Sequence, residues 1–335
     1  MEETTFQLKL EDPGTPSFAS TVVDILNATL PQNASKAPEE AASAIDELLN
    51  QHYSEHGTAG GFLWWFWDLV HDLSRQVPAE CDRLQQRLAE TIKALQDLPP
   101  RTARLGEEWG QSDGSVQIWA ELPLFADTFR ETLTDGMLFQ ASLFLTKLVW
   151  KARFLTDLRQ KGDARADGEI PRKQRQINLQ AYGARVAGLC RLPFEMYAIW
   201  ALVDALEGTV KPIRGAPDEV TDDPAAVEDL PCKTRIAASW MIHAGHFLYG
   251  RDEHIRGATA GPLWRVMDKQ ERVRTSRALK GTDGLSLERW ILWKNRFGVI
   301  QHREGLDEQL RELAGQAVQA MQAVEQRKQS IISSQ

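Results

Sequence analysis

The stretch from Phe62 to Val77 is the most apolar in the chain, and its spacing leaves one choice of local structure. Phe62, Phe66, Leu69, Leu73 and Val77 recur at three- and four-residue steps, with Leu63, Trp67 and Val70 beside them. That is the period of a helix and not the two-residue alternation of a strand. Asp68, His71, Asp72 and Arg75 fall on the opposite side at i, i+3, i+4 and i+7. They read as the solvated face of an amphipathic helix; the same spacing would also suit a metal or an acid–base pair. Pro78 ends the segment.

The same signals recur along the chain. Ser17 caps a helix over 17–30, and Pro38 followed by Glu39 and Glu40 opens another, since proline pre-sets the first turn and carboxylates suit its positive end. Helices are predicted to start at Pro78 and Pro123 and to cover 136–161, 172–190, 194–207, 232–249, 262–271, 286–303 and 306–330. An irregular stretch holds Trp109 and Trp119. No period-two run with a hairpin turn stands out, and no repeat of fixed period appears. The expected fold is all-α: one irregular bundle of roughly ten to twelve helices with a Trp-rich core. Residues 1–16 read as a flexible tail and 17–330 as a single helical domain, with loop insertions near 161–171 and 208–231.

Composition bears mainly on function. Eleven Trp against four Tyr means that large aromatic rings either fill a wide core or line an apolar pocket. A net charge of -8 argues against a nucleic-acid partner, which needs a basic surface. Cys81, Cys190 and Cys232 lie far apart, which fits a reducing compartment better than a disulfide framework. No apolar run is long enough to span a membrane, and no secretory signal opens the chain, so a cytoplasmic location is expected. Nucleophile-elbow, Walker and dinucleotide fingerprints are missing; no cofactor and no metal ligand is assigned, and an enzyme of this kind would be a cofactor-free or divalent-metal-assisted cyclase or isomerase.

Several segments together resemble a fungal family catalogued as domain of unknown function 3632. They are Phe62-Leu63-Trp64-Trp65-Phe66-Trp67, Leu122-Pro123-Leu124-Phe125 and Asn178-Leu179-Gln180-Ala181-Tyr182-Gly183-Ala184-Arg185, then Ala238-Ser239-Trp240-Met241-Ile242-His243-Ala244-Gly245, Gly261-Pro262-Leu263-Trp264 and the run from Leu285 to Phe297. The resemblance extends from about 20 to 325. It implies a helical protein, in a family whose members often sit among secondary-metabolite genes, and it transfers no catalytic motif.

Candidate sites come from helical spacing. Asn178, Tyr182 and Arg185 share one helix face, opposite the small residues Ala181, Ala184 and Gly188. They would either present donors to a ligand or hold two helices in register. Glu288 is a natural partner for a buried Arg185, because a buried guanidinium requires a paired acid. His243 and His246 lie one turn apart and read as structural or surface residues rather than a metal pair. Trp67, Trp240, Trp290 and Trp293 are the pocket candidates, with core packing as the alternative. The functional expectation is a hydrophobic small molecule bound, and cyclised or isomerised, with Arg185, Glu288 and His243 catalytic and Asn178, Tyr182 and these tryptophans shaping the site. A non-catalytic helical interaction module is the alternative.

Overall fold

The computed structural model describes residues 6–11, 15–31, 34–109, 115–134, 170–211, 219–267 and 283–333. Among them are eleven α-helices, so the chain is an all-α bundle as its periodicity predicts. They are α1 (Ala19–Thr29), α2 (Pro38–His56), α3 (Gly60–Ser74), α4 (Asp82–Gln96), α5 (Ile118–Glu121) and α6 (Phe125–Thr134), followed by α7 (Arg172–Cys190), α8 (Glu195–Leu206), α9 (Leu230–Leu248), α10 (Leu287–His302) and α11 (Glu308–Ser333). The helix expected over 136–161 and most of the loop expected near 161–171 lie outside the described residues. No described helix is long and apolar enough to cross a membrane.

Two short hairpins interrupt the helices. Strands β1 (Thr102–Arg104) and β2 (Ser115–Gln117) pair antiparallel in the stretch expected to be irregular. Strands β3 (Thr209–Lys211) and β4 (Glu219–Thr221) pair inside the predicted 208–231 loop. Each strand is three residues long, too short for side-chain alternation to register in the sequence.

Contacts divide the chain into two compact units, Met1–Tyr182 and Gly183–Gln335. In the first, α2 packs on α1 and α4, and α3 packs on α6. Phe62, Leu63, Phe66, Trp67, Phe125 and Phe129 are buried at its centre. In the second, α9 and α10 pack on α11, and α8 packs on both α9 and α10, around Trp240, Trp264, Trp293 and Phe297.

Gly188, one of the small residues of α7, serves the close approach its spacing suggested. A Cβ built on Gly188 would stand 2.2 Å from the His243 carbonyl oxygen, so no larger residue fits where α7 meets α9.

Candidate functional site

The nine residues singled out by spacing divide between the units. Trp67, Asn178 and Tyr182 belong to the first; Arg185, His243, Trp240, Trp290, Trp293 and Glu288 belong to the second.

Asn178 acts on the backbone of its own unit. Its Oδ1 accepts from the Ala79 amide and from Gln174 Nε2, both at 2.9 Å, and its Nδ2 donates to the Arg75 carbonyl at 2.8 Å. It thereby satisfies backbone groups freed where α3 ends, the kind of group that helix termini leave over. The carboxamide is 1% exposed, so it presents nothing to solvent.

The neighbouring histidine overturns the solvated-face reading of α3. His71 is 0% exposed, and its ring lies against Phe125 (4.7 Å between centroids), Phe129 (5.4 Å) and Tyr182 (6.0 Å). Asp68 and Asp72 remain on the wetter side. The reason is that α3 is apolar around most of its circumference: His71 follows Trp67 by one turn and shares its buried side. Trp67 is itself fully buried, edge-on to Phe125, and its indole N–H donates to the Pro123 carbonyl at 2.9 Å.

His71 Nε2 lies 3.2 Å from the Phe125 carbonyl and 3.1 Å from Thr128 Oγ1. A carbonyl only accepts, so Nε2 carries the proton and Nδ1 is the bare acceptor. Among the described residues that buried Nδ1 has no hydrogen-bond partner. Burial pushes the imidazole down to about 3; the Phe125 carbonyl opposes this shift and the Arg75 charge adds to it. His71 is therefore neutral at any ordinary pH.

The second unit contains a polar centre of the opposite kind. Arg289 and Glu207, both 0% exposed in their side chains, form a two-pronged ion pair, Nε to Oε1 at 2.7 Å and Nη2 to Oε2 at 3.2 Å. The carboxylate also accepts from Trp293 Nε1 at 2.8 Å and from the Gly261 amide at 2.6 Å. The guanidinium also donates to the carbonyls of Gly284 at 2.8 Å and Thr259 at 2.6 Å. It sits 5.2 Å from the Trp293 ring centroid and 5.8 Å from that of Trp264. Glycine is required at 261, where a Cβ would stand 2.4 Å from Glu207 Cβ.

Of the remaining candidates, Trp240 is fully buried, and Trp290 donates its N–H to Glu325 at 2.8 Å, a carboxylate shared with Lys294. Arg185 is buried on α7, while Glu288 on α10 and His243 on α9 are half-buried. Sequence reasoning puts His71 on a solvated face, where the structure buries it, and misses the Glu207–Arg289 pair. A signal for Arg289 was present, since it precedes Trp293 by one turn and Arg296, Phe297 and Ile300 continue the same buried stripe. Glu207 is 82 positions away from it, and nothing local marks that partner.

Among the described residues no group of three His, Cys, Asp or Glu side chains is placed to hold a metal ion. No curated protein and no solved structure matches the chain. Residues 67–297 match the profile of the family described as Protein of unknown function (DUF3632), a span that includes both polar centres, and the chain belongs to that family.

Proposed function

We propose that the protein binds a hydrophobic small molecule carrying a hydrogen-bond donor, in the aromatic surroundings of His71. The observation that carries the reading is the unpartnered, fully buried Nδ1 of His71. Buried polar atoms are almost always satisfied, and an exception calls for a water, an ion or a ligand. The rings of Phe125, Phe129 and Tyr182 against it, with Trp67 edge-on to Phe125, suit an apolar body, and the nitrogen suits a single hydroxyl or N–H. In this reading Trp67 and Tyr182 have the binding role expected of them from the sequence.

Binding is favoured over cyclisation or isomerisation at this site. A base held down to about 3 is a weak proton acceptor near neutral pH, far from the value that general-base catalysis needs. It remains a good hydrogen-bond acceptor. Phenol and indole serve as donor-bearing probes, and toluene and naphthalene as donor-free controls. Quenching of tryptophan fluorescence should give tighter binding for the donor-bearing member of each pair, by about three- to tenfold for one net hydrogen bond. His71→Phe should erase that difference. Equal affinities in the unaltered protein would sink the reading.

The alternative, a helical interaction module, has its own observation. Leu287, Ile291 and Val299 on α10 are 49%, 43% and 42% exposed, along one side of the helix. Exposed aliphatic residues occur on most protein surfaces, so this row carries less weight than an unsatisfied buried nitrogen.

A further inference from the structure

The sequence reads residues 1–16 as a tail, yet residues 8–11 are held as closely as a bound peptide. Leu8 is 2% exposed. Its backbone N–H donates to Asn27 Oδ1 at 2.7 Å, and its carbonyl accepts from Asn27 Nδ2 at 3.0 Å. Lys9 is read in the same way by a second carboxamide: its N–H donates to Gln76 Oε1 at 3.0 Å, and its carbonyl accepts from Gln76 Nε2 at 2.8 Å. Each amide takes both polar groups of one residue, as a paired antiparallel strand would. Successive residues of an extended chain address opposite sides, which fits clamps drawn from two different elements, α1 and the turn after α3.

The segment ends on a carboxylate. Glu11 meets the Arg175 guanidinium through two parallel bonds of 2.8 Å each. Arg175 is 7% exposed and keeps a second contact to Asp72 at 3.3 Å, so its fork stays aimed. All four features on the receiving side belong to the first unit: the enclosure of Leu8, the carboxamides of Asn27 and Gln76, and Arg175. The occupant contributes peptide bonds, one apolar side chain and one acid. Lys9 and Leu10, between these anchors, are exposed.

We propose that this groove is a binding site for an extended peptide of the pattern leucine-x-x-glutamate, and that residues 8–11 occupy it in cis until such a peptide displaces them. The chemistry is that of added-strand recognition, in which backbone bonds give affinity and two side chains give specificity. A tethered occupant has an effective concentration on the order of millimolar, so it suppresses weaker competitors and admits stronger ones.

The test uses the full chain and a fluorescent synthetic copy of residues 6–11, followed by anisotropy. In the variant carrying Leu8→Ala and Glu11→Ala the cis segment is weakened while the groove is intact. That variant should bind the peptide at least about tenfold more tightly than the unaltered chain, where the groove is filled. Adding Arg175→Ala should weaken the peptide about tenfold, as expected for one charge-assisted pair. A peptide with alanine at both anchors should not bind. Absence of binding to the folded double variant, or equal binding of the alanine peptide, overturns the proposal. Should the double variant not fold, as judged by circular dichroism, Glu11→Gln alone should gain about threefold, and no gain would count equally against it.

Discussion

The buried polar centres of the two units differ in one respect that decides how each can be used. Around Glu207 and Arg289 both carboxylate oxygens and all three guanidinium nitrogens are engaged, by each other, by Trp293 and by backbone at 259, 261 and 284. Around His71 the ring nitrogen facing Phe125 and Thr128 is engaged, and the other is not. Charge explains the contrast. A buried ion pair must be saturated, because each unmet bond exposes a charge to a medium that cannot solvate it. A neutral imidazole tolerates one unmet acceptor at a cost of about 1–3 kcal/mol. The charged centre can therefore only fasten its unit, and the neutral one keeps a bare acceptor, the atom on which the proposed ligand would draw.

The sharpest way to break this comparison is to remove one member of the saturated pair. Glu207→Ala leaves Arg289 charged and buried, and should cost about 3–5 kcal/mol in urea unfolding. Replacing Glu207 and Arg289 together by leucine and methionine should cost far less, because no uncompensated charge remains. A single variant within about 1 kcal/mol of the unaltered protein would mean that this pair does not fasten the unit.

The second prediction concerns pH and acts on His71 alone. Its ordinary value is 6.5 and burial holds it at about 3, so between those limits the unfolded chain binds a proton that the folded chain refuses. Stability from this group is complete above 6.5 and falls with acidification through the window down to about 3. One proton corresponds to a slope of about 1.4 kcal/mol per pH unit. Carboxylates also titrate there, so the quantity to measure is the slope of the unaltered protein minus that of His71→Phe. A difference near zero would place a proton on His71 in the folded state and remove the contrast with Arg289.

Helices were far more legible than either centre. The predicted 172–190 helix coincides with α7, and those over 194–207, 232–249 and 286–303 differ from α8, α9 and α10 by one or two residues at each end. Periodicity and proline punctuation are local, and so are helical hydrogen bonds. The centres depend on contacts between distant segments. The rule that a buried arginine needs an acid holds for Arg289, the residue after Glu288, whose fully buried partner is Glu207. His71 was misread for a related reason. Its spacing from Asp68 and Asp72 suggested water, whereas the apolar residues around α3 left room for only a narrow wet face. The segment at residues 8–11 lies in a run, Phe6-Gln7-Leu8-Lys9-Leu10-Glu11, that alternates apolar and polar as an extended chain does, but its partners Asn27, Gln76 and Arg175 are scattered and nothing local marks them.

Asn178 provides an intermediate case, a neutral buried group with both carboxamide atoms bonded. Asn178→Ala strands the Ala79 amide and the Arg75 carbonyl at the end of α3, and should cost about 1–3 kcal/mol. Phenol binding near His71 should be unchanged by it, provided the folded fraction is corrected for. A selective loss of phenol affinity at full folding would return Asn178 to the ligand-binding role that its helix face first suggested.

The smallest expected effect tests whether the fastening at Arg289 depends on how α10 begins. Ser286 is the N-cap of that helix, and its hydroxyl accepts from the Arg289 backbone N–H at 3.2 Å. The residue whose side chain is locked to Glu207 thus has its backbone held by the cap. Ser286→Ala should cost about 1 kcal/mol if the cap acts only on the helix end, and Ser286→Gly only a few tenths. If the cap also sets the aim of the guanidinium, the losses from Ser286→Ala and Glu207→Ala will not add: in the background where Glu207 is already alanine, the cap should be worth measurably less. Contacting residues show such coupling at about 0.5 kcal/mol or more, whereas independent ones add within error. Strict additivity would mean that the ion pair holds its geometry from the loop at 259–261 and the Trp264 and Trp293 rings, without help from the start of α10.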